Sequence, residues 1–377
     1  MMGMYIHIPF CKEKCKYCDF NSFTSNEVMR ERYVEALLKE IATYKKADFP
    51  TIDTVFIGGG TPSVLSAEQL TSIVEAVKAT FDIDEENEFS IEMNPDTVEF
   101  ETVQKLLSAG VNRFSMGLQS TDDKMLQTLG RVHSKDMFLN AYNDMRKAGA
   151  KNINVDLMFA LPNQTLETWK ETLEEVIQLE PEHISAYSLK IEEGTIFDKL
   201  YEDDKLNLPD EDVDREMYRL AKSLLSEAGY IQYEISNFAK SGKLSRHNLN
   251  YWINGEYIGL GLGSHGNING TRYSNETNIE KYINLCKNNV RPVVEENKIS
   301  IEEQMFESVI LGLRLNEGLD MKAFEKRYGV SPIEKYGDIL ESLKTDLLIE
   351  VSDDRIKLTD YGVDISNQVF IKFMEEE

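Results

Sequence analysis

Cysteine is scarce in this chain, four in 377 residues, and three of the four (Cys11, Cys15 and Cys18) fall within eight positions. So few thiols, so clustered, exclude a disulfide framework and point to metal or redox chemistry in a reducing compartment. Long apolar runs are missing as well. None approaches the roughly 20 residues of a membrane span, and the N-terminus lacks the basic-then-apolar order of a signal peptide, so a cytoplasmic protein is expected. Positive charge is short, with 41 Lys and Arg against 66 Asp and Glu for a net charge of −25. That imbalance repels phosphate backbones and anionic membranes, and nucleic acid is not an expected partner.

What is present is an ordinary globular composition, 41% apolar and 28% charged, at a length that predicts two or three domains. From residue 1 to about 190, β-branched runs alternate with helical patterns, the signature of βα units on a parallel sheet. Six strands are predicted, at 4–8, 53–57, 88–93, 112–117, 152–159 and 183–189. Thr24-x-x-Glu27 and Ser66-x-x-Gln69 read as capping boxes, Ala109-Gly110 and Ala148-Gly149 as helix ends, and Met29, Tyr33, Leu37, Ile41 and Tyr44 as one helical face. Six units are fewer than the eight of a closed barrel, which predicts an α/β fold built on a partial (β/α)6 barrel. The cysteines occupy the first loop leaving a strand's carboxyl end, where function gathers in such folds.

The remainder divides into an extension and a C-terminal domain, giving expected boundaries at 1–210, 211–299 and 300–377. An acidic connector (Tyr201-Glu202-Asp203-Asp204-Lys205, then Pro209-Asp210-Glu211-Asp212) leads to a helix at 212–228 and a strand at 230–235. Residues 240–298, rich in Gly and Asn with few clear periods, read as an irregular surface segment. Ser300-x-x-Glu303 and Ser331-Pro332 start helices, and a hairpin spans 347–358, so a small helical winged domain is expected. Winged domains often bind DNA, but a tail ending Glu375-Glu376-Glu377 favours a structural or partner-docking wing.

The C-x3-C-x2-C spacing offers soft ligands suited to zinc or iron–sulfur clusters. Structural zinc wants four ligands, and no second Cys or His pair lies at such spacing. Three ligands on a four-iron cluster leave one iron open to a substrate. Buried thiols or an incomplete zinc site are the plainer alternatives. Directly after the second strand comes Gly58-Gly59-Gly60-Thr61-Pro62-Ser63, where glycine lets backbone approach a ligand, although a tight turn alone would also explain the run.

Together these stretches resemble the radical S-adenosylmethionine (SAM) superfamily. The resemblance implies that three cysteines hold a [4Fe-4S] cluster whose fourth iron is chelated by SAM, and that reduction splits the sulfonium to methionine and a 5′-deoxyadenosyl radical. Strand ends carry Glu92, Gln119, Arg131 and Asp156, acceptors and a donor adequate for a zwitterion with a ribose. Within the superfamily the chain is similar to the oxygen-independent coproporphyrinogen III oxidases and the HemW haem chaperones, from Tyr5-x-His7-x-Pro9 through Tyr233-Glu234-Ile235-Ser236-Asn237 to the wing. Residue-by-residue matching implies cluster ligation by Cys11, Cys15 and Cys18. It also implies SAM contacts from Tyr5, Tyr17, Gly59, Gly60, Thr61, Glu92, Gln119, Arg131 and Asp156.

The oxidases carry a further cysteine two places after the third, where this chain has Asp19-Phe20, and a longer N-terminal arm. Instead, His247-Asn248-Leu249-Asn250-Tyr251-Trp252 resembles the chaperones' H-N-x-x-Y-W motif, with His247 the expected axial haem ligand. The resemblance therefore implies a haem carrier with haem, [4Fe-4S] and SAM as cofactors and an apo-haemoprotein as acceptor. Peripheral contact with membrane haemoproteins and a monomer or homodimer are also expected. Radical decarboxylation of coproporphyrinogen III is the alternative reading, and a radical enzyme acting on another substrate is a third. Lys12, Lys14 and Lys16 either keep the loop soluble or steer an acidic electron donor of flavodoxin type. His7 and His183 read as hydrogen-bonded core groups, His133 as support for Arg131, His265 as a second tetrapyrrole candidate and Cys286 as a buried thiol.

Overall fold

The computed structural model of the protein describes residues 1–45 and 49–374, so the acidic tail lies outside the described residues. Its frame is a twelve-stranded sheet. Strands β1 (Met2–Ile8), β2 (Ile52–Gly59), β3 (Ile83–Met93), β4 (Arg113–Gln119), β5 (Ile153–Phe159) and β6 (His183–Ser188) pair in parallel in that order. All six match the predicted strands. Helices α1 (Glu27–Ala42), α2 (Ala67–Thr80), α3 (Phe100–Ala109), α4 (Lys135–Ala148) and α5 (Leu166–Gln178) form the crossovers.

The two faces of the sheet differ in chemistry. Val55, Ile57, Phe89, Ile91, Phe114, Met116, Val155 and Leu157 are buried in the main core, and burying each contributes about 1.5–3 kcal/mol. The alternate positions, among them Thr54, Ser90, Glu92, Ser115, Asn154 and Asp156, are polar. Parallel strands covered on both faces usually read as continuous apolar runs, so this period-2 alternation marks a polar lumen.

Local signals act mostly as the sequence predicts. Ser66 and Gln69 close a capping box, Ser300 and Glu303 another, and Gly110 and Gly149 cap α3 and α4 in the left-handed region. Thr24 is a correction: it pairs in a two-residue strand, and Asn26 caps α1, its side chain accepting from Met29 N. The acidic connector also starts later than expected. Thr195 caps a helix over Ile196–Glu202 whose Phe197 is buried beside Tyr17, which absorbs Tyr201 and Glu202.

The larger correction concerns residues 240–298, which are ordered rather than irregular. After α6 (Glu211–Glu227), β7 (Ile231–Glu234) and β8 (Asn237–Ala239) add antiparallel to β6. Helix α7 (Arg246–Trp252) follows, and β9 (Glu256–Leu260) then pairs parallel to the outer side of β1. Strands β10 (His265–Ile268), β11 (Thr271–Asn275) and β12 (Val293–Lys298) continue antiparallel. The hairpin between β10 and β11 turns on Asn269-Gly270, with φ of 51° and 69°, an Asn-Gly hairpin signal hidden by composition. Among the described residues the sheet does not close; β7 and β12 are its edges.

The extension shares the barrel's core, which runs from Met2 to Cys286, whereas a separate core runs from Met305 to Phe373. That second core joins helices Ile301–Gly312, Met321–Tyr328, Pro332–Thr345 and Ser366–Met374. A three-stranded sheet over Leu319–Asp320, Ile349–Val351 and Arg355–Leu358 completes the winged domain.

Candidate functional site

The lumen alternation and the β-strand ends meet in a pocket of about 340 Å³ at the barrel mouth. It is lined by Cys11, Cys15, Cys18, Tyr17, Gly59, Gly60, Thr61, Glu92, Gln119, Arg131 and Asp156, so every expected cluster and SAM residue except Tyr5 reaches it. Asn94, Ser115, Gly117, Met158 and Tyr187 line it too and were not singled out by sequence. The signal was there: Ser115 and Gly117 stand four and two places before Gln119, and Met158 two after Asp156, on the same strand face.

The cysteine loop is held from both sides. Lys16 N donates to Leu129 O (3.0 Å), Phe197 N to Lys16 O (3.0 Å) and Phe23 N to Pro9 O (2.9 Å). The glycine run is stitched to the same loop, with Gly60 N on Ile8 O (2.8 Å) and Thr61 N on Phe10 O (2.7 Å). A Cβ on Gly60 would sit 2.6 Å from Phe10 O and 3.0 Å from Cys11 Sγ, and one on Gly59, at φ 115°, would sit 2.6 Å from the His7 ring. Glycine is needed here because the backbone passes against the thiol loop.

The three thiols line this one pocket, where a metal cluster would sit. Thr61 Oγ1 donates to Cys11 Sγ (3.7 Å) and Arg131 Nη1 to Cys15 Sγ (3.6 Å). Burial pushes the Cys18 thiol up.

Arg131 also donates through Nη2 to Gly117 O (2.6 Å) and Asn94 Oδ1 (2.8 Å), while its buried Nε has no partner, a donor left for a ligand anion. Glu92 accepts from Gly59 N (3.0 Å). Its burial, and then the neighbouring Asp156 carboxylate, push its pKa up to about 8. A bound cation would restore the carboxylate. Asp156 accepts from Ser115 Oγ (3.0 Å) and Asn154 Nδ2 (2.7 Å). Gln119 sits at φ 72° beside a register shift between β4 and β5, the kind of strained position that functional sites retain. Three thiols, a glycine cradle, an orphan guanidinium donor and two acids fit a [4Fe-4S] cluster with SAM.

Tyr5 lies deeper, in an inner lumen chamber of about 210 Å³ shared with Phe56, Arg113, His247 and Tyr251. Its hydroxyl bonds His7 Nδ1 (3.0 Å), and His7 Nε2 bonds Asn21 O (2.9 Å), so His7 is neutral with Nε2 protonated and Tyr5 donates. His247 is fully buried. Its Nδ1 bonds Thr54 Oγ1 (2.9 Å), its Nε2 bonds Tyr251 OH (3.0 Å), and its ring stacks on Phe56 at 5.2 Å. Burial drives its pKa down to about 3, keeping it neutral. Ser245 caps helix α7, its Oγ accepting from Asn248 N (3.4 Å), and the Glu88 carboxylate accepts from Arg246 N (2.8 Å) and His247 N (3.0 Å), an acid at a helix N-terminus that sequence reading missed.

The other histidines separate. His183 is a core group bonded to Asn154 Oδ1 (2.6 Å) and Tyr233 OH (2.8 Å). His133 bonds Leu118 O (3.2 Å), next to the Gly117 carbonyl that Arg131 uses. His265 is exposed on β10 and lines none of these chambers. Cys286 is buried, and burial pushes its thiol up to about 12. The loop lysines are tied down: Lys12 to Asp96 (3.1 Å), Lys14 to Phe20 O (2.9 Å) and Lys16 to Gln127 O (3.5 Å).

Comparison with known proteins gives the chain's family and fold. Residues 5–176 match the model of the radical SAM superfamily, and residues 299–365 match the HemN C-terminal domain. A Bacillus subtilis protein named heme chaperone HemW is 39% identical over 381 residues, covering 100% of both chains. A Haemophilus influenzae protein of the same name is 35% identical, covering 100% of this chain and 98% of the relative. A solved structure described as coproporphyrinogen III oxidase from Escherichia coli superposes with a TM-score of 0.84 over 99% of this chain and 89% of that one. At 22% identity this shows the shared fold.

Proposed function

The chain belongs to the radical SAM superfamily and, within it, to the HemW family, and from that premise we propose that it binds haem and delivers it to apo-haemoproteins. The observation that carries the reading is the full-length likeness to relatives named heme chaperones. The presence of Asp19-Phe20 where the resembling oxidases have another cysteine supports it. Cys11, Cys15 and Cys18 hold the [4Fe-4S] cluster. Glu92 and the adjoining Gly59-Gly60-Thr61 backbone receive the SAM ammonium end, the Arg131 Nε–H faces its carboxylate, and Gln119 and Asp156 take the ribose. Tyr17 walls the pocket, and Tyr5 supports it through His7. When bound, a reduced cluster of this family supplies cleavage of the SAM sulfonium. The chain's own residues bind, orient and exclude water.

Axial ligation of haem by His247 requires the ring to leave Thr54 and Tyr251. The proposal includes a cytoplasmic location, an acidic electron donor of flavodoxin type meeting the Lys12–Lys16 loop, and acceptors that include membrane haemoproteins met peripherally by a monomer or homodimer.

The test is made on anaerobically reconstituted protein supplied with SAM and reductant. One portion is titrated with haem and mixed with an apo-haemoprotein; another receives coproporphyrinogen III. Saturable haem uptake, transfer to the acceptor and unchanged coproporphyrinogen are expected. Protoporphyrinogen formation would overturn the carrier in favour of the oxidase.

A further inference from the structure

A cleft of about 790 Å³ opens between the extension and the C-terminal domain, away from the barrel lumen. Helix α7 divides the two spaces. Its His247 and Tyr251 line the inner lumen chamber, while its Leu249 and Trp252, with the adjoining Ile253, wall the cleft opposite Leu315 and Phe324. The H-N-x-x-Y-W motif therefore has two addresses, one on each side of the helix.

Three features suit the cleft to a flat apolar molecule with anionic ends. Ile231 and Ile253 face it 55% and 49% exposed, apolar surface that a ligand would take from water. Trp252 Nε1 is buried and has no hydrogen-bond partner, and the Arg314 guanidinium lies 4.4 Å from the Trp252 ring centroid. Arg327, at the cleft, donates to Asn254 O (2.7 Å) and among the described residues pairs with no carboxylate, in a chain of net charge −25. Two acids also border the cleft. Asp320 is paired with Arg355 (3.2 Å), and Glu317 is exposed, which directs an anionic group towards Arg327.

Size separates the candidates. Small-molecule sites run from about 300 to 1,000 Å³. The cleft at about 790 Å³ is inside that range, whereas the inner chamber is about 210 Å³ and shares Glu92, Ser115, Asp156 and Tyr187 with the mouth pocket assigned to the cluster and SAM. We propose that haem docks in this cleft, its macrocycle against Leu249, Trp252, Ile253 and Phe324 and a propionate on Arg327. The inference rests on the haem-carrier reading and deepens it. No histidine lines the cleft, so His247 acts as a positioning residue that holds α7 from behind. Haem bound without a strong histidine ligand is suited to being passed on.

Full-length protein with its cluster is titrated with haem b and, separately, with haem dimethyl ester, reading the Soret band. Thermal midpoint and SAM binding are the controls for folding. Ile253→Glu at an exposed position and Ala323→Trp, which fills the cleft, are each expected to weaken haem about tenfold or more with both controls unchanged. Arg327→Gln is expected to weaken haem and leave the ester unaffected. If wild-type protein binds haem while Ile253→Glu and Ala323→Trp bind equally well, and only His247→Ala loses it, the cleft is overturned and the carrier reading stands. No saturable haem uptake by the wild type removes the carrier reading and the cleft together.

Discussion

The mouth pocket and the inner chamber share the lumen face of the same strands, with Glu92, Ser115, Asp156 and Tyr187 lining both, yet the thiols of one and the histidine of the other are satisfied differently. At the mouth, Arg131 keeps a buried Nε–H without a partner, two thiols meet a single donor each, and Glu92 is held protonated by burial and Asp156. Deeper in, Arg113 likewise keeps a buried Nε–H without a partner, but both nitrogens of His247 and of His183 are bonded, and Glu88 accepts two backbone N–H groups. An unsatisfied buried group costs about 1–3 kcal/mol, and a fold retains it where a ligand will satisfy it. Motif membership alone does not separate these cases. Cys15 and His247 both belong to motifs, but Cys15 meets a single side-chain donor whereas His247 has both ring nitrogens bonded.

The comparison breaks most visibly at the cysteines. Cys11→Ala, Cys15→Ala or Cys18→Ala should each reduce bound iron and acid-labile sulfide to background, with the far-ultraviolet circular dichroism unchanged. Unchanged iron content would show that the loop is not the cluster site. Next in size, Glu92→Gln should weaken SAM by about 10²-fold or more, because a buried ammonium loses its counter-charge.

Glu92 also sets a pH dependence. Its folded pKa, about 8, lies above the ordinary 4.5, so its contribution to the stability of the ligand-free protein is complete below about pH 4.5 and lost as pH rises through about 8. Thermal midpoints of wild type and Glu92→Gln should therefore diverge across that window, the variant losing less on the alkaline side. Parallel curves would count against a buried, protonated Glu92.

The inner chamber should respond in stability rather than in cofactor binding. His247→Ala leaves a cavity and strips partners from Thr54 and Tyr251, and a loss of about 2–4 kcal/mol in denaturant unfolding is expected. Thr54→Val leaves only Nδ1 unpartnered and should cost about 1–3 kcal/mol. SAM affinity within about twofold of wild type in Thr54→Val would sharpen the division between the chambers. The smallest effect expected is from changing Lys12, Lys14 and Lys16 to Gln. Cluster reduction by an acidic flavodoxin should slow by a few-fold at low salt, and the difference should vanish at high salt.

Much of the barrel was legible because its signals are local. Strand alternation, the Ser66 and Ser300 boxes and the glycines at 110 and 149 each need only a few residues in sequence. The extension was less legible because its glycines and asparagines look like loop composition, whereas they serve strand crossings and the Asn269-Gly270 turn. Glu88 escaped notice because it lies 158 positions before the helix whose N-terminus it meets. Nothing in the text at residue 88 points to residue 246.

By itself the sequence determined the cysteine loop, the glycine run, the six parallel strands and the family that these imply, since spacing and period are properties of the chain. Only the tertiary structure decided which motif residues are free to act. Glu92 and Arg131 face a pocket with groups unsatisfied, whereas His247 is buried with both nitrogens bonded. The physical reason is that a side chain's chemistry fixes what it can bind, but its availability depends on which distant groups the fold brings within hydrogen-bonding distance.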